Sequence, residues 1–223
     1  MDNPRLHASS APRASALSAN KVLRNTYALL SATLIFSALM AMVSTILNVG
    51  HGTSLACSVA ALLLVWFVLP RTANSAAGIG VVFAFTGLLG FGLGPILNHY
   101  LNMAYGSEVI ATSMGGTAII FLGLSAYALI TQRDFSFLGG FLFAGLIVVL
   151  LASLAGIFLN MPGLWLAINA AVILIFSGFI LFDTSRIING GVTNYIIATT
   201  SIYLSIYNIF IALLHLLGFA SND

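Results

Sequence analysis

The sequence predicts an all-α polytopic membrane protein, a bundle of seven helices that each cross the bilayer. Three observations predict it. First, 60% of the 223 residues are hydrophobic and 5% are charged, where a soluble domain is about a quarter charged. Charge is too scarce to cover a water-facing surface, so lipid must solvate the chain. Second, seven apolar runs each approach the roughly 17 to 25 residues that span hydrocarbon. Third, every Lys and Arg falls in the tail or at alternate connections between the runs, Arg186 in the last turn before its connection, which is the charge pattern of a threaded membrane protein.

Residues 1–26 are polar and carry Pro4, Pro12, Arg5, Arg13, Lys21 and Arg24 against Asp2. They read as a flexible basic tail. Their basic, Ser-rich character also fits an organellar transit peptide; a secretory signal fits less well, because the apolar run that follows is too long. The runs are Tyr27 to Val49, Thr53 to Leu69, Gly78 to Leu101, Val109 to Leu129, Leu138 to Leu159, Leu164 to Ile188 and Ile196 to Phe219. They make residues 27–219 a transmembrane domain, with 220–223 a short outer tail. Short loops make neighbouring helices antiparallel, and no length is left for a second domain.

The loops after spans two, four and six hold Arg71, Arg133 and Arg186, on the same side as the basic tail. The opposite segments hold His51, Glu108 and Asp223 and neither Lys nor Arg. The positive-inside rule then sets the N-terminus in the cytoplasm and the C-terminus outside.

The third run contains FTGLLGFGLGPILN, Phe85 to Asn98. Gly90 and Gly94 form a GxxxG pair that lets a neighbouring helix approach closely. Pro95 removes a backbone donor and kinks or breaks the helix. Two readings stand: a broken helix lining a cavity, or tight packing with a proline kink.

Asp183 is the only acidic residue within the apolar runs; the other four acids, Asp2, Glu108, Asp134 and Asp223, lie in tails or connections. A carboxylate at a helix centre in lipid costs roughly 2.5 to 3.5 kcal/mol on insertion scales, so it needs a partner, water or the bundle interior. Ile188 lies about 8 Å further along a helix, which puts Asp183 toward the cytoplasmic side. Arg186 follows at i+3, where it can share a face with Asp183, and Arg71 lies at similar depth. One reading is an interfacial Asp–Arg pair that pins the helix end. The other is a buried carboxylate whose protonation opens or closes a polar path. On the seventh run Ser201, Ser205 and Asn208 share one face and seek partners on other helices. Asp183, Arg71, Arg186, Ser205 and Asn208 are therefore the candidates for ion or proton sensing.

His51, His99 and His215 map to the outer side, as external pH sensors or as ordinary interface residues. Their spacing does not suggest zinc, and the single Cys57 sits in an apolar run as a packing residue. The chain has no GxSxG, HExxH, P-loop or dinucleotide fingerprint. An intramembrane aspartyl protease needs two membrane carboxylates. The expectation is a non-enzymatic protein without cofactor or bound metal, whose surroundings are lipid and protein rather than nucleic acid.

Five stretches carry a resemblance: KVLRNTY (21–27), FTGLLGFGLGPILN, RDFSFLGG (133–140), ILFDTSRII (180–188) and SIYLSIYNIFIALLHLLG (201–218). With them the chain resembles the Bax inhibitor-1 family, most closely its bacterial YccA-like branch of FtsH-protease modulators. The resemblance implies a seven-helix fold with the last helix central, in a bacterial inner membrane with a periplasmic C-terminus. It implies FtsH as partner: the protein would occupy this ATP-dependent protease as a poor substrate, gripped by its tail, and so spare other membrane proteins. It leaves room for a homo-oligomer. Other branches imply a pH-sensitive calcium leak, gated by two carboxylates on the last two helices and locked by an arginine on the second, with Ca2+ as the permeating ion. Asp183 matches the first carboxylate and Arg71 is a shifted match to the arginine. Ser205 stands where the second carboxylate would be. That substitution removes the proton sharing that two close carboxylates provide.

Overall fold

The computed structural model describes residues 11–159 and 161–221. Among them seven helical stretches are long and apolar enough to cross a bilayer: Ala19–Ile46, His51–Thr72, Ala76–Leu101, Gly106–Thr131, Leu138–Phe158, Gly163–Ile188 and Tyr195–Ala220. No strand occurs among the described residues.

The first helix, α1 (Ala11–Ile46), starts well inside the stretch expected to be a flexible tail. Residues 1–10 of that tail, and 222–223 of the outer one, lie outside the described residues. From Ala11 onward the backbone is helical, and two physical features account for it. Residues 11–26 are rich in Ala, Leu, Arg and Lys, which favour helix. Val22 and Leu23 already pack against the core, and Thr26 is fully buried with its carbonyl accepting from the Thr199 hydroxyl.

The second span is α2 (His51–Leu63), a π-helical turn (Leu64–Val68) and α3 (Leu69–Thr72). Pro70 explains the turn. It has no N–H for the carbonyl four residues back, and its ring crowds that carbonyl. The backbone widens by one residue instead, so that the Leu69 N–H reaches the Leu64 carbonyl. Arg71 Nη1 donates to the Phe67 carbonyl at 2.8 Å and Thr72 Oγ1 to the Val68 carbonyl at 2.9 Å.

The third span breaks where expected, into α4 (Ala76–Gly92) and α5 (Gly94–Leu101), with Pro95 in the first turn of α5. At the break the Ser54 hydroxyl of α2 donates to the Gly92 carbonyl at 2.5 Å. The glycines also do what a GxxxG pair does. A Cβ on Gly90 would fall 2.6 Å from Ser37 Oγ and closer still to the Ser37 carbonyl, and one on Gly94 would collide with Ser44. Backbone approach this close leaves room for hydrogen only.

The remaining spans are α6 (Gly106–Thr131), α7 (Leu138–Phe158), α8 (Pro162–Ile188) and α9 (Tyr195–Ala220). The last helix packs against α1, α4, α6 and α8, so it is central; α2 packs chiefly on α4, and α7 on α8. Hydroxyls that face lipid or neighbouring helices bond back to their own turn, as Ser31 does to Tyr27 and Ser153 to Val149, both at 2.8 Å. That leaves few unsatisfied polar groups in hydrocarbon. Across the centre, Ser37 of α1 and Tyr203 of α9 share a hydrogen bond of 2.6 Å. Tyr203→Phe deletes the hydroxyl and little else. The expected result is a loss of about 1 kcal/mol, read as a lowered unfolding temperature in mild detergent with unchanged helix content.

Candidate functional site at the end of the sixth span

Long-range hydrogen bonds gather one end of the bundle. Asn194 accepts from the N–H groups of Ile196 and Ile197, capping α9. Its side-chain amide also donates to the Ala73 carbonyl and to Asn74 Oδ1, each at 2.8 Å, tying α9 to the end of the second span. Ser185 of α8 accepts from the Phe135 N–H and donates to the Arg133 carbonyl, both at 2.9 Å, and so holds the loop after α6. With Thr199 reaching Thr26, this end collects Lys21, Arg24, Arg71, Arg133 and Arg186. Asn194→Ala removes the cap and both tethers. We expect it to cost about 1 to 2 kcal/mol and to raise proteolysis of the loops at 73–75 and 189–194, measured by limited digestion.

Asp183 sits on the buried face of α8 just inside this end, 7% exposed, beside the fully buried Thr184 and Ser185. Its Oδ2 accepts from the Ser201 hydroxyl of α9 at 2.5 Å. The structure thus joins α8 to α9 through a carboxylate and a serine. Ser201 was visible in the sequence as part of the Ser201/Ser205/Asn208 face, but nothing there singled it out from Ser205 as the partner. The other candidates are placed elsewhere. Ser205 is buried and donates to the Ser201 carbonyl at 3.2 Å, and Asn208 donates to the Leu204 carbonyl at 2.8 Å, each within α9. Arg71 is exposed and bonded to its own helix. Arg186 reaches the Gly191 carbonyl at 3.4 Å and lies over the Phe182 ring, 5.2 Å from its centroid. Among the described residues no Arg forms an ion pair with Asp183.

The turn after α8 needs Gly190, whose φ of +76° lies in the left-handed region. The Gly191 and Val192 N–H groups then return to the Arg186 carbonyl at 2.8 and 3.2 Å, closing the helix end. In the loop after α6, the Ser136 hydroxyl and N–H hold the exposed Asp134 carboxyl below the usual carboxylate range. Thr184, Ser125 and Tyr27 each bury a hydroxyl that has no protein partner. Among the described residues no three His, Cys, Asp or Glu come together in a way that could hold a metal ion.

Seven apolar crossings around a central helix, with the cationic loops gathered at one end, define a polytopic membrane protein of the helical-bundle class. Residues 19–222 match the family model described as "Inhibitor of apoptosis-promoting Bax1". Over 219 residues the chain is 54% identical to the "Modulator of FtsH protease YccA" of Escherichia coli K12, covering 98% of this chain and 99% of that one. The same identity and coverage hold for the "Inner membrane protein YccA" of E. coli O6:H1. A Vibrio cholerae serotype O1 "Uncharacterized membrane protein" is 49% identical over 207 residues, 93% of each chain. The chain belongs to the Bax inhibitor-1 family, in its YccA-like branch.

Proposed function

We propose that this protein is a non-enzymatic modulator of FtsH in a bacterial inner membrane, which binds the protease and thereby spares other membrane proteins from it. The observation that carries this reading is the 54% identity, across 98% of the chain, to a relative named as a modulator of that protease. The cationic end faces the cytoplasm by the positive-inside rule, which puts the N-terminal tail and the loops with Arg71, Arg133 and Arg186 on that side and the C-terminus in the periplasm. The tail offers the protease its grip. Force on it passes into α1, which is wedged against α4 at Gly90 and Gly94 and bonded to α9 through Tyr203. A bundle so held is slow to extract, and a protease occupied by it is unavailable to others. The test is co-purification from native membranes with mass spectrometry of the captured partners. FtsH in the eluate is expected; its repeated absence overturns the proposal.

A calcium leak at Asp183 is the weaker reading. The partner of that carboxylate is a neutral hydroxyl, and a hard cation takes several oxygen ligands with charge among them. Calcium-loaded liposomes carrying the purified protein are expected to hold their calcium around neutral pH. A leak abolished by Asp183→Asn would establish conduction instead. The same variant keeps an acceptor for Ser201 and is expected to bring down FtsH as well as the parent does.

A further inference from the structure

Between α1 and α6 lies a cavity of about 670 Å³. Its walls are α1 and α6, and its back is α9. Leu93, Leu97 and Leu101, in and just before α5, line one end. At the other end the Tyr27 and Phe121 rings stack, with centroids 5.9 Å apart, toward the cationic end of the bundle. The side is open: Met42, Ile46, Leu101 and Met114 on its rim are between 48% and 74% exposed.

The lining offers a guest almost no polar group. Ser37 and Tyr203 are bonded to each other, and Thr45 and Thr117 to carbonyls of their own helices. The Tyr207 hydroxyl points at the Leu89 carbonyl, 3.5 Å away. Water in such a space lacks the two to four polar partners it needs, and apolar cavities stay dry. The guest must therefore be apolar and come from the surrounding hydrocarbon. A transmembrane helix, about 10 Å across with its side chains and about 30 Å long across hydrocarbon, fills roughly 2,400 Å³. This cavity holds less than a third of that, about 670 Å³, and its rim is open toward lipid.

We propose that the cavity holds one phospholipid acyl chain, entering from the leaflet on the α5 side. The chain lies along α9 and fills the gap that α1 and α6, each packed on α9, leave between them. The lipid acts as an interchangeable part of the packed bundle, seated beside the Ser37–Tyr203 bond.

The test uses the full-length protein in nanodiscs of phosphatidylethanolamine and phosphatidylglycerol, doped with a phosphatidylcholine that carries a diazirine midway along one acyl chain. After illumination, peptide mapping should find adducts on Leu34, Ala38, Ala41, Met114 and Phe210 several-fold enriched over Leu150 and Leu154, which face lipid on α7. Ala38→Phe and Ala118→Trp fill the cavity from opposite walls. Each should remove that enrichment while leaving labelling of α7 unchanged. Labelling of the cavity no greater than that of α7, or insensitive to both variants, overturns the proposal. So does a photoreactive residue at Met114 that crosslinks, in native membranes, to protein rather than lipid.

Discussion

Deleting residues 2–18 is expected to abolish protection of FtsH substrates completely while the bundle stays folded. The first span begins at Ala19, and Val22 and Leu23, which pack on the core, lie beyond the cut. A protease anchored in the membrane and driven by ATP must begin on a segment it can thread, and the N-terminal segment lies on the cationic side, where the protease would work. The measurement is the half-life of an unstable membrane protein co-expressed with the truncated chain. It should fall to the value seen without any modulator, and FtsH should no longer co-purify. An unchanged unfolding temperature shows that the loss is one of grip rather than of structure. Full protection by the truncated chain would move the docking surface to the loops at Arg71, Arg133 and Arg186.

Gly90→Leu should have the opposite effect on the protease: if the protein is a poor substrate, as proposed, this variant becomes a better one. Even a methyl group at this position runs into the Ser37 carbonyl, and backbone cannot rotate away as a side chain can. Helix α1 must lift off α4, and with it goes the Ser37–Tyr203 bond. Overpacking of this kind costs typically about 1 to 3 kcal/mol, occasionally more, and here it loads the seam through which a pull on the tail is transmitted. The expected readouts are a lower unfolding temperature in detergent and faster degradation by purified FtsH. Gly80→Leu, on the same helix, is the control, because a Cβ there meets nothing within 4 Å. Equal degradation of the two variants would show that the α1–α4 seam does not limit extraction.

Much of the fold is legible along the chain. Each apolar run carries its own transfer free energy, so the spans declare themselves one at a time, and Arg71, Arg133 and Arg186 sort the loops by side without reference to any contact. Gly90, Gly94 and Pro95 announce a close approach and a break, and both occur. The helix content of residues 11–26 was masked by their polarity, since hydropathy marks where lipid begins, not where a helix does. The candidate site was legible only in part. Asp183 stands out as a lone acid, but its bond to Ser201 rather than Ser205 depends on how α8 and α9 rotate against one another.

The sequence alone determined how many times the chain crosses, which connections share a side and which glycines bear close contact, because these follow from residue-by-residue solvation, charge and size. The central place of α9 was implied only through the family resemblance, and the packing bears it out; that Asp183 meets a serine and that α1 and α6 leave a lateral cavity between them was decided by the tertiary structure alone. In water an apolar stripe tells a helix which face to bury. In lipid the outward face is as apolar as the inward one, so hydropathy cannot orient the helices. Shape complementarity and a few hydrogen bonds must do so.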